Sequence, residues 1–139
     1  MMYEIIEGYP PNIADIIQKF GNVVWQRDTV FTYGNTIYNP RGHKLPPDLI
    51  EHEKMHILQQ SGDPQSWWKK YLEDNQFRLE QEVEAYGRQY AFTMKHYGRN
   101  DRRLVLKHII KTLSGPLYGH IIDPDSAKNL IKKEALRWI

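Results

Sequence analysis

The sequence predicts an α+β fold, with a small antiparallel sheet of about three strands packed on two helices and further helices towards the C-terminus. Three observations carry this. Strand-forming segments cluster between residues 22 and 39 instead of alternating with helices. From residue 46 onward the apolar spacing is helical, punctuated by Pro and Gly. The chain has 139 residues, 40% of them hydrophobic, which suits one core and is short for two, so a single domain spanning 1–139 is expected.

Residues 12–21, "NIADIIQKFG", read as a short helix, with Asn12 as cap, Ile13, Ile16, Ile17 and Phe20 as one stripe, and Gly21 as terminator. Val23 to Trp25 is a short strand candidate. "VFTYGNTIYN" is a hairpin candidate turning at Gly34-Asn35. Residues 46–61 read as a helix. Pro46-Pro47 suits its start, Asp48 and Glu51 suit the positive end of its dipole, and Gly62 suits its end. Residues 64–97 read as helical, capped by Asp63, with a break expected near 73–76 because 34 residues is long for one helix in a small domain. Two more helices are expected at 101–113 and 125–138. Their apolar sets are Leu104, Val105, His108, Ile109 and Leu113, then Ala127, Leu130, Ile131, Ala135 and Trp138.

The net charge of +2, from 19 basic and 17 acidic residues, gives no reason to expect nucleic acid as a partner. The absence of cysteine excludes disulfides, thiolate metal sites and cysteine nucleophiles. Any transition metal must then be held by His, Asp or Glu. No apolar run reaches membrane-spanning length and "MMYEIIEGYPP" lacks signal-peptide character, so a cytoplasmic location without membrane association is expected. Nothing in the composition sets an oligomeric state.

The chemistry concentrates in "DLIEHEKMHILQQ", where His52-Glu53-Lys54-Met55-His56 fits H-E-x-x-H. On a helix the two histidines stand one turn apart on one face and can reach one ion, and Glu53 sits beside that face where it can take a proton from a bound water. Roughly 1 shuffled chain in 70 of this composition would contain the pattern by chance, so context has to decide. A catalytic zinc usually takes a third protein ligand. Downstream candidates are Glu73, Asp74, Glu80, Glu82, Glu84, His96, His108 and His120. In "FRLEQEVEAYGRQYAF" the stripe Leu79, Val83, Tyr86 and Tyr90 encloses Glu82, whereas Glu80 and Glu84 project elsewhere. A carboxylate facing a core needs a partner. A metal is one, and Arg78, one turn earlier, is the alternative.

"HEKMH" followed by "EVEAY" resembles the zincin metallopeptidases, and among them the gluzincins, whose third zinc ligand is a glutamate on a second helix. The resemblance covers roughly residues 30–90 and extends in element order to small single-domain gluzincin-like proteins of bacteria and their phages. It implies a zincin-like fold and a zinc peptidase in which His52, His56 and Glu82 hold Zn2+ and Glu53 is the general base. Its substrate would be a peptide or protein. Tyr118 and His120 in "SGPLYGH", or Tyr86, are the candidates to stabilise the oxyanion. The arm "NTIYN" could take an extended peptide by strand addition. The other class of reading is a non-catalytic zinc-binding module of the same fold, acting in interaction or assembly. Retention of Glu53 speaks against it. Trp67 and Trp68 read as packing residues, His43, His96 and His108 as isolated histidines, and "GRNDRR" (98–103) as a solvated basic turn.

Overall fold

The hairpin forms as its turn residues dictate. Strands β2 (Phe31–Tyr33) and β3 (Thr36–Tyr38) pair antiparallel across Gly34, whose φ of +64° is open to glycine at little cost. The computed structural model describes residues 2–24 and 28–139. The third strand is not the expected Val23–Trp25. Residues Gly21–Val24 form a 3-10 turn, and Trp25 lies outside the described residues. Instead β1 (Glu4–Ile6) pairs parallel with β3, giving the order β1-β3-β2 and a mixed sheet where an antiparallel one was expected. The parallel pairing is possible because residues 7–35, which include α1 (Ile13–Phe20) and β2, supply the long connection that parallel strands require.

The helices follow the punctuation of the sequence. They are α2 (Pro47–Gln60), α3 (Pro64–Glu73), α4 (Asn75–His96), α5 (Arg99–Leu113) and α6 (Pro124–Ala135). The expected break falls at Asp74, which leaves the helical region and caps α4 by accepting from the Phe77 N–H at 3.0 Å. Asp63 and Asp123 cap α3 and α6 in the same way. Asn12 does not cap α1; its side-chain amide is buried without a partner. No helix among the described residues is long and apolar enough to cross a membrane.

Helix α4 packs against α2, α5 and α6. Gly87 permits the last of these contacts, since a Cβ there would collide with the Glu134 side chain. Ile109, Leu113, Ala127, Ile131 and Ala135 are core residues as expected, but Leu104 and His108 face solvent on α5.

Candidate metal centre

The buried face of α2 is polar. Its buried residues are Asp48, His52, Glu53, Met55, His56, Ile57 and Gln60, of which only Met55 and Ile57 are apolar. Polar groups are tolerated there only if they are partnered. Asp48 accepts from Gln89 Nε2 (2.8 Å) and Tyr97 Oη (2.7 Å). Gln60 accepts from the Gly34 N–H (2.7 Å) and donates to the Thr32 carbonyl (2.8 Å). His52 and His56 turn to Glu82 on α4.

That group has the geometry of a ligand cradle. His52 Nε2 and His56 Nε2 are 3.1 Å apart, and each lies 3.2 Å from Glu82 Oε1. Donor atoms around a tetrahedral ion at about 2.0–2.1 Å stand about 3.3 Å apart, so three such atoms form one face of the polyhedron. Glu82 Oε1 makes no aligned hydrogen bond although it is buried. The His56 ring is oriented by Gln59, whose Oε1 lies 2.7 Å from Nδ1; a proton held there leaves the Nε2 lone pair for an ion. This buried group can therefore bind a metal ion. Glu82 has a further partner in Tyr71, whose hydroxyl donates to Oε2 at 2.5 Å.

The alternative partner for Glu82 is not used. Arg78 is buried, but it donates to the Tyr71 carbonyl and to Asn75 Oδ1 and lies over the Phe20 ring. Glu84 also stays out of the cradle, accepting from Gln59 Nε2 at 2.9 Å. Glu80 is exposed and hydrogen-bonded to Gln76.

Electrostatics follow from burial and proximity. Burial alone would lower the pKa of His56, but the Glu82 carboxylate beside it lifts the metal-free ring to about 9. Burial would raise Glu82, yet His56 and His52 hold it below the ordinary carboxylate range. Glu53 goes the other way. Desolvation raises its pKa, partly offset by the two histidines, and Thr32 Oγ1 donates to its Oε2 at 3.3 Å.

A narrow cavity of about 60 Å³ adjoins the cradle. His52, Glu53, His56, Glu82 and Tyr118 line it. Tyr118 is buried there with its hydroxyl 2.7 Å from that of Tyr86, whose ring lies against His52. Burial pushes the Tyr118 phenol up, which keeps it a neutral donor. The structure does not bring His120 to the cavity: its side chain is exposed, at φ +55°, with Nδ1 3.2 Å from the Ser114 carbonyl. Ile16 and Phe20 of α1, Val24 of the following turn, and Trp67, Trp68 and Tyr71 of α3 also line the cavity.

The expected peptide-binding arm is otherwise engaged. "NTIYN" contains β3, the central strand, paired on both edges. The outer edge of β2 is also occupied, because the Thr32 carbonyl accepts from both Gln60 Nε2 and Trp68 Nε1. Sequence reading missed three supporting residues, Thr32, Gln59 and Tyr71. Gln59 stands three residues after His56, a spacing that does place the two on one helix face. Tyr71 and Thr32 carry no such signal, since the α3–α4 turn and the strand register bring them in. The chain matches no family model, no curated protein and no solved structure.

Proposed function

We propose that this protein is a zinc-dependent hydrolase that cleaves peptide bonds. The observation that carries the reading is the convergence of three buried ligand atoms at 3.1–3.2 Å with a fourth ionisable group, Glu53, in the same cavity. A purely structural site needs no such group. The resemblance of H-E-x-x-H and Glu82 to gluzincins points the same way. His52, His56 and Glu82 would hold the zinc ion, which supplies Lewis acidity and a water of lowered pKa.

Glu53 would take a proton from the bound water on its carboxylate and return it to the leaving amine; its raised pKa favours the first of these transfers. Tyr118 donates to the oxygen on which negative charge develops, held in place by Tyr86. His120 is left out of this assignment. Tyr71 and Gln59 hold Glu82 and His56 in the ligating orientation. A 60 Å³ cavity takes water but not a peptide segment, so substrate entry requires the cavity lining to move.

The capped β2 edge favours a second reading, a metal-binding module of the same architecture without peptidase activity that acts in protein interaction or assembly. Metal analysis of purified protein, combined with peptide hydrolysis by wild type and Glu53→Gln, separates the two. The hydrolase reading expects near-stoichiometric zinc in both proteins and turnover in wild type alone. Zinc without turnover in either supports the module. Wild type without metal overturns both.

A further inference from the structure

The small net charge conceals an uneven distribution. Residues 99–139 carry nine basic and four acidic side chains, a balance of +5, whereas residues 1–98 carry ten and thirteen, a balance of −3. Part of that excess lines a groove of about 660 Å³ between α5 and α6. Arg103 and Lys107 project from α5, and Lys128 and Lys132 from α6, each pair at i,i+4 and so on one face of its helix. No carboxylate lines the groove. Among the described residues none of these four exposed cations has an ion pair. Leu106 and Ile110 contribute apolar surface, and Tyr90 contributes a ring.

We propose that this groove binds a single strand of nucleic acid through its phosphodiester backbone. The chemistry of the walls selects this partner. The charged groups offered are all cationic donors, which meet phosphate oxygens, while Asn100 and Tyr90 are the polar side chains beside them that can also accept. The two cationic rows flank a concavity, whereas a bilayer surface is flat. Tyr90 lines the same groove, and a ring of that kind stacks on an unpaired base, which a duplex does not offer.

The test is fluorescence anisotropy with a labelled oligothymidylate of about 20 nucleotides at about 50 mM salt. Binding should weaken with salt at a log–log slope of about −3, from about 0.7 per neutralised phosphate over four cations. Lys107→Ala/Lys132→Ala should reduce the slope by about 1.4 and the affinity by at least tenfold, with circular dichroism and metal content unchanged. Lys69→Ala/Lys70→Ala, on α3, should leave both quantities alone. The proposal is overturned by absence of binding or by equal losses in the two double variants. Preference for a duplex overturns it too, as does equally tight binding of polyglutamate or of phosphatidylglycerol vesicles.

Discussion

Two imidazole nitrogens and one carboxylate oxygen at van der Waals separation, all buried, are costly to maintain in a folded chain unless a proton or a cation sits among them. In the metal-free protein a proton does this, on His56, and it must leave when an ion arrives. Metal affinity should therefore rise about tenfold per pH unit for each proton displaced, up to about pH 9, as measured by competition with a buffered chelator. The metal-free fold should respond oppositely. A histidine raised from 6.5 to about 9 adds stability that is complete below pH 6.5 and lost as pH rises through 9, so urea midpoints of the metal-free protein should fall over that window. The metal-bound protein, in which His56 is already neutral, should not show the fall. Tyr71→Phe should cost 10–100-fold in metal affinity by freeing Glu82 Oε2, while Glu84→Ala should retain the metal. His52, Glu53 and His56 were legible from the H-E-x-x-H spacing, and Glu82 from its place in the apolar stripe of its helix. Tyr71 was not, because no periodic rule spans the bend at Asp74.

The helices were legible nearly to their ends, since Pro and Asp mark their starts by local chemistry. The sheet was legible only in its hairpin. β1 pairs with a strand some thirty residues away, and its residues Glu4–Ile6 are all exposed, so no alternation betrays it. Element packing also shows what fixes β2. Gln60 joins α2 to the strand through both the Gly34 N–H and the Thr32 carbonyl. Gln60→Ala should leave that N–H buried or poorly partnered and cost about 1–3 kcal/mol, read as a lower urea midpoint with an unchanged m-value. Because Thr32 also donates to Glu53, the same variant should lower turnover more than its stability loss explains.

Across the whole molecule, chain-averaged charge was the least informative quantity, because nine of the nineteen cations but only four of the seventeen carboxylates fall in residues 99–139. Burial sorts access in turn. With His52, His56 and Glu82 buried and Ile16, Phe20 and Val24 lining the adjoining cavity, exchange of an ion with solvent becomes a kinetic question. A chelator in excess should strip the metal at a rate that plateaus, set by the opening of the lining and no longer by chelator concentration. Stopped-flow measurement with a chromogenic chelator would show the plateau, and Phe20→Ala should raise it. A rate that climbs linearly throughout would mean that the lining imposes no barrier. If the plateau is found, the protein keeps its ion over times longer than its equilibrium affinity alone implies, and its loading becomes a record of the metal present while it folded.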